Sequence, residues 1–424
     1  MRDFIKRHEA VLKNISWLYL MQIANYLFPL ITLPYLLRVV GLDKYGIIVL
    51  GQAVMGYTNT IVEYGFNLTA TREIANLRRD FTKIRPIYNY VMQTKIGITL
   101  LIALIGVIVL FLIPFTAEEK LFWVMAFTIV LGQLMNPVFF FQGIEDMKYI
   151  TFVNLITRSL YLVLLFLVVR EESDFIYAVL LQGVSAMVAG AFALRVAYTK
   201  YGVYVSSRVR WSQIKEELRK GWPIYIANCC GNIYSQGSAV IVNLLAGNVA
   251  TSYFSLATKV SGVVCQIFQP GVQAIYPRVC QKFSEHDGDR IMHVMVKYTA
   301  VLSLLGCVAT SLAAPLISLI LKGDVDAVLV RDIHIANVML FFTIMNVAMH
   351  PFVLATGAFN FVQKLYMMVS GGYLVVASLG TIYFQQEGML CALIAVEVTI
   401  TSNYFYQLFR RKTVKEAAAF EKER

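Results

Sequence analysis

The chain reads as an all-α membrane protein of twelve transmembrane helices in two parallel-repeat six-helix lobes. Three observations predict this. Only 15% of the residues are charged and 58% are hydrophobic, whereas soluble domains carry about 25% charged residues. Apolar stretches of about 20 residues, enough to cross a ~30 Å hydrocarbon layer, recur from end to end. Finally, residues 41–72 recur weakly at 247–278 with a constant offset of 206: Gly41 falls on Gly247, Gly56 on Gly262, Gly65 on Gly271 and Arg72 on Arg278. Leu50 and Leu256, Val54 and Val260, Ile61 and Ile267, and Tyr19 and Tyr225 match at the same offset. A repeat half a chain apart in a membrane protein describes two bundles that rock around a shared site.

The expected spans are 15–37, 45–66, 88–113, 121–141, 149–169, 175–194, 221–246, 252–277, 298–321, 332–356, 365–384 and 389–409. The longest loop, 195–220, divides them six and six. The expected domains are therefore an N-lobe (1–194), an inter-lobe loop (195–220), a C-lobe (221–409) and a tail (410–424). An even number of spans per half makes the halves parallel. The stretch Trp211–Lys220 reads as a short interfacial helix entering span seven. The start, a charged lead into a full-length span, does not read as a cleavable signal.

The +11 net charge has an address. With the N-terminus inside, 28 of the 37 Lys and Arg fall on inside segments, six on outside segments and three within spans. Such an excess predicts that both termini and residues 195–220 are cytoplasmic. The basic loops are then topology signals and headgroup contacts, with no nucleic-acid partner. The six cysteines form neither a disulfide framework nor a zinc pattern, and nothing calls for a metal or cofactor. No Walker A motif, nucleophile elbow or HExxH occurs, so the chain is not expected to be an enzyme.

Polar residues inside the spans are the candidate site, because they are costly against lipid. Span one carries Gln22, Asn25 and Thr32; span two carries Gln52, Asn59 and Glu63 on one face. Span seven offers Asn228, Asn232 and Gln236 at four-residue steps. Ser252, Ser255, Lys259, Gly262, Gln266, Gln269 and Gln273 share a face of span eight. Arg158 lies in span five, and Asn346, His350 and Glu397 in spans ten and twelve. Two readings stay open: amides that glue helices together at about 1 kcal/mol or less each, or spans one, two, seven and eight lining a hydrated cavity. The cavity reading makes Lys259, Arg158, Gln266, Gln273, Asn59, Asn25, Asn232 and Gln236 substrate-binding residues. An alternative for Lys259 is an ion pair with Glu63 or Glu397. Lys95 is expected to snorkel to the headgroups, and His350 to be a satisfied polar residue. Pro29, Pro34 and Pro270 are expected to bend their helices.

Three segments then stand out together: Glu63–Arg72 (EYGFNLTATR), Phe140–Lys148 (FFQGIEDMK) and Gln273–Arg278 (QAIYPR). The chain resembles the bacterial O-antigen flippases of the polysaccharide transport family, over almost its whole length. The resemblance implies the V-shaped fold of the multidrug, oligosaccharidyl-lipid and polysaccharide exporter superfamily, with alternating access. It implies movement of undecaprenyl-diphosphate-linked oligosaccharide from the inner to the outer leaflet of the bacterial inner membrane, for surface polysaccharide. Its implied partners are that lipid-linked unit, membrane lipids, and an O-antigen polymerase and chain-length regulator. Cations of the cavity would meet the diphosphate: Lys259, Arg158, Lys95 or Arg38 here, none of them within the matching segments. Glu63 and Glu397 are the candidates for ion coupling. The alternatives are a multidrug exporter of the same superfamily and a membrane glycosyltransferase or polymerase, the latter using Asp324, Asp326 and Asp332 on or beside an outer loop.

Overall fold

The structure, a computed structural model, describes the backbone of residues 9–77, 79–206, 211–284, 288–355 and 358–422. The chain divides into two compact units, Met1–Asn232 and Ile233–Arg424. The first contains α1 (Glu9–Glu63), α2 (Phe66–Asn76), α3 (Phe81–Leu112), α4 (Ala117–Leu134), α5 (Val138–Gly143), α6 (Met147–Val168), α7 (Phe175–Tyr201) and most of α8 (Trp211–Ser235). The second contains α9 (Gly237–Ser284), α10 (Gly288–Lys322), α11 (Ala327–Ala355) and α12 (Phe359–Lys422).

Among the described residues, nine helical runs are long and apolar enough to cross a membrane. Three of them, Leu20–Asn76, Trp211–Gln266 and Phe361–Leu408, have 57, 56 and 48 residues. At 1.5 Å per residue each is roughly 70–85 Å long, more than twice one crossing. Each is also broken. The breaks lie at Gly41 (φ 73°, ψ 173°), at Gly247 (φ 86°, ψ −176°) and at Phe384–Gln385, where Gln385 has φ 51°. Dividing each run at these breaks leaves twelve apolar segments among the described residues, with shorter interruptions at Tyr64–Gly65 and Gln236 besides.

Gly41 and Gly247 are the first glycine pair of the repeat, and they adopt the same conformation. That region of dihedral space is essentially closed to residues with a Cβ, so the repeat preserves a turn and not merely a composition. Proline does not supply the break: α1 keeps helical dihedrals through Pro29 and Pro34. Gly41→Ala and Gly247→Ala are each expected to cost about 1–3 kcal/mol through backbone strain. Gly262 has negative φ and open space around its Cα. Gly262→Ala should instead be neutral or stabilising by up to about 1 kcal/mol. Thermal unfolding of the three variants in one detergent checks the opposite signs.

The first unit has its core at one end. Phe66, Ala70 and Ile74 of α2 pack with Ile84, Tyr88 and Val91 of α3, Phe139–Phe141 of α5, and Ala189, Ala193 and Ala197 of α7. Thr71 Oγ1 donates to the Phe139 carbonyl at 3.1 Å, and Arg79 donates to the Ile144 carbonyl at 3.0 Å. The first two family-like segments are therefore a structural clasp. Gly65 (φ 83°) sits in a close crossing: a Cβ there would lie 2.8 Å from Ile224 of α8. This crossing brings the second half of α8 alongside α1. The outer faces are apolar; Leu100, Leu101, Leu104, Phe111 and Leu112 of α3 are all exposed, as a lipid-facing helix requires.

Helix ends follow local chemistry. Thr116 and Glu119 form a capping box at the start of α4. Asp326 accepts from the N–H groups of Val328 and Leu329 at the start of α11. Around the third break, a Cβ on Gly380 would lie 2.8 Å from the Gly388 carbonyl, so the turn pinches shut only with glycines on both sides.

Candidate functional site

The interior of the first unit is organised by charge. Lys95 of α3 is fully buried, and its Nζ donates to Glu63 Oε1 at 3.0 Å. Gln133 of α4 donates to the same oxygen at 3.3 Å. The Lys95 side chain therefore does not snorkel. Its ammonium lies level with a carboxylate at the end of α1, and pairing removes the cost of a lone buried charge. Glu63, one of the two partners considered for Lys259, carries Lys95 on its Oε1. Sequence reasoning missed Gln133, a lone amide in an apolar span with no polar periodicity around it.

The first unit also presents hydrogen-bonding capacity that its own described residues do not fill. The Oδ1 atoms of Asn25, Asn59 and Asn136 and Glu63 Oε2 are buried without a hydrogen-bond partner. So is Nε of Arg158, a half-buried guanidinium on α6 with no ion pair among the described residues. Its neighbours on α6 are self-satisfied: Asn154 donates to the Ile150 carbonyl at 2.9 Å and Thr157 to the Val153 carbonyl at 2.8 Å. Most buried polar groups in proteins are bonded, so the unbonded Nε sets Arg158 apart from its neighbours on α6. Asn232 of α8 donates to Thr60 Oγ1 at 2.6 Å, so at least one of its bonds ties α8 to α1. Tyr64 and Tyr225 stack beside it, with centroids 4.6 Å apart.

The second unit has a different polar core. Glu397 of α12 is buried, and Asn346 of α11 donates to its Oε2 at 2.6 Å. Thr401 donates to Asn346 Oδ1 at 2.7 Å. His350 Nδ1 and Tyr404 OH lie 2.7 Å apart, and His350 is the satisfied residue expected. On α9, Ser252 and Ser255 are buried, Gln266 is half-buried and Lys259 is exposed. The polar face of span eight thus turns outward from its lobe at Lys259. Gln236 is half-buried at the junction of α8 and α9, which interrupts span seven. The side chain of Gln273, and the whole third segment Gln273–Arg278, lie outside the described side chains.

Of the three carboxylates on or beside the 322–331 loop, Asp324 is exposed, while Asp332 is buried with its Oδ1 unbonded. Asp326 bonds Lys322 and Tyr253 in addition to capping α11. Burial pushes its carboxyl up, but the bonds from Lys322, Tyr253 and the Leu329 N–H outweigh burial and hold its pKa at about 2. Asp332 is buried and accepts from Gln386 at 3.3 Å. Asp326 holds the start of a helix and Asp332 lies inside the bundle. No cluster of metal-ligating side chains occurs among the described residues.

Comparison with known proteins agrees with this architecture. Residues 11–283 match the family model described as polysaccharide biosynthesis protein. An Escherichia coli (strain K12) protein provisionally named an O-antigen transporter is 31% identical over 268 residues, which are 63% of this chain and 64% of that relative. The chain therefore spans slightly less than two thirds of that relative in the match. A Shigella dysenteriae protein of the same name is 23% identical over 411 residues, 95% of this chain and 100% of its own. Among solved structures, the lipid II flippase MurJ in an inward closed conformation has a TM-score of 0.71 at 12% identity, covering 95% of this chain and 87% of its own. An inward-facing multidrug resistance MATE family transporter of the MOP superfamily has a TM-score of 0.67 at 15% identity, covering 92% and 96%. These two likenesses establish the fold, that of membrane transporters. With a family match over well over half its length, the chain belongs to the polysaccharide biosynthesis protein family.

Proposed function

We propose that this protein flips undecaprenyl-diphosphate-linked oligosaccharide units from the inner to the outer leaflet of the bacterial inner membrane, by alternating access, for O-antigen synthesis. The observation that carries this reading is Arg158, a half-buried guanidinium whose Nε has no partner. A diphosphate crossing hydrocarbon needs charge compensation, and a guanidinium binds phosphate oxygens in a fixed, forked geometry. The unfilled acceptors of Asn25 and Asn59 suit sugar hydroxyls, which both donate and accept. Lys259, with Gln266, Gln236, Asn232 and Gln273, serves as a second contact set from the later spans. The names of the two curated relatives support the same substrate class.

Energy does not require ATP. One negative charge moving outward through 100 mV, inside negative, gains about 2.3 kcal/mol. Glu63 and Glu397 are the carboxylates for any coupling ion. Glu63 is already paired with Lys95, which leaves Glu397 the better placed of the two. An O-antigen polymerase and chain-length regulator would receive the product.

Reconstitution tests the reading. Purified protein in liposomes is expected to move the lipid-linked unit and to leave organic cations behind. Cation export without movement of the lipid-linked unit would make it a multidrug exporter instead. The orientation is tested separately. Single cysteines at 322–331 should label from outside intact spheroplasts, and cysteines at 200–206 only after permeabilisation; the reverse pattern would invert the topology.

A further inference from the structure

Within the second unit, α10, α11 and α12 enclose an apolar cleft of about 350 Å³. Phe341, Phe342, Met345 and Met349 of α11 face Ala300 of α10 and Phe405 of α12 across it. From Phe341 to Met349 the wall extends for about 12 Å, eight residues at the helical rise. Nothing in the transport path described above uses this cleft. Among the described residues one cation lines it: Lys297, exposed, in the first part of α10. Lys297, Met349 and Leu408 lie toward the same end of the cleft, because α11 runs back along α10. The aliphatic stem of Lys297 forms wall while its ammonium reaches out, the arrangement by which lysines bridge apolar surface and headgroup.

We propose that this cleft binds the prenyl chain of the lipid-linked substrate, with Lys297 at the level of its phosphate. The proposal rests on the function given above and adds where the lipid, as distinct from the saccharide, is held. Three features favour a polyprenyl phosphate over a membrane phospholipid. The cleft has a single described cation, Lys297, which suits one phosphate, and its width suits one chain, whereas a phospholipid brings two chains. The walls are aromatic rings and thioethers, which adapt to the methyl branches of an isoprenoid. The volume holds on the order of ten groups of water size, at about 30 Å³ each, or roughly two isoprene units. The rest of the chain stays in the bilayer. One wall residue, Thr401, donates to Asn346 and so abuts the buried Glu397 pair.

The test uses the full-length protein in nanodiscs of neutral lipid and undecaprenyl phosphate bearing a diazirine near the phosphate end of its chain. Cross-linked peptides are identified by mass spectrometry, and flux of the lipid-linked unit is measured in parallel liposomes. Label is expected on 294–301, 341–349 and 401–408. Excess undecaprenyl phosphate should remove it, and the same excess of phosphatidylglycerol should not. Lys297→Gln, at an exposed position, should lower labelling about fivefold or more without changing thermal stability. Ala300→Trp should fill the cleft, abolish labelling there and reduce flux. Label elsewhere only, equal competition by phosphatidylglycerol, or labelling unchanged in both variants would each overturn the proposal. Absence of wild-type flux with the label in place would remove the transport reading and leave a polyprenyl phosphate site standing.

Discussion

Lys95→Ala is expected to be the most damaging single substitution outside the helix-packing glycines. It leaves the Glu63 carboxylate, whose side chain is only 13% exposed, without its cation inside the first unit. Breaking a buried pair from one side costs about 3–5 kcal/mol. Gln133 remains on the same oxygen, but a neutral donor does not replace an ammonium. The loss should appear as a lower unfolding temperature in detergent and less folded protein in membranes. The double variant Lys95→Met, Glu63→Leu removes both charges while keeping volume, and should recover most of the loss. A Lys95→Ala protein as stable as wild type would show that the pair is not buried in the membrane-embedded state. Recovery of stability without recovery of transport in the double variant would give Glu63 a role beyond structure.

The second large effect is expected at Arg158, and on transport instead of stability. Its guanidinium has no described partner to lose, so Arg158→Gln should fold normally. With the diphosphate uncompensated, flux should fall by roughly two orders of magnitude, on the order of 3 kcal/mol for a charge-assisted bond removed. Arg158→Lys should fall less, since the charge is kept while the bidentate geometry is lost. Lys259→Gln should follow the same direction more weakly, because Lys259 is exposed on its own unit and screened. Surface polysaccharide in cells and flux in liposomes, both at matched protein levels, measure the order.

Much of this architecture was legible in the sequence because it rests on periodic or additive signals. Span length follows from hydropathy, and the turns at Gly41 and Gly247 announced themselves as a glycine pair at one offset. Their shared dihedrals show why glycine recurs: only glycine adopts that backbone. The helix continues through Pro29 and Pro34 and is interrupted at Gly41, whose extended backbone at positive φ no helix can contain. Lys95 was misjudged for a different reason. Its partner Glu63 lies 32 positions away on another helix, and sequence spacing says nothing about which helices meet. Gln133 was invisible on the same ground. The family-like segments were recognised as segments, but their work as a packed clasp around Phe66, Ile74 and Phe140 appears only in three dimensions. Arg158 was legible as an oddity, a cation in an apolar span, while its unfilled Nε needed the structure. On span eight, six polar residues and Gly262 share one stripe, yet that stripe passes from buried at Ser255 to exposed at Lys259, which a helical wheel cannot show.

The most direct test separates the diphosphate from the rest of the substrate. Flux through wild type and Arg158→Gln is measured in liposomes with the same oligosaccharide on undecaprenyl diphosphate and on an uncharged polyprenyl ether. Wild type is expected to carry the diphosphate form far faster than the ether, and Arg158→Gln to erase most of that preference by losing the diphosphate flux alone. Equal flux of the two substrates through wild type, or an undiminished preference in Arg158→Gln, would contradict a guanidinium that receives the diphosphate.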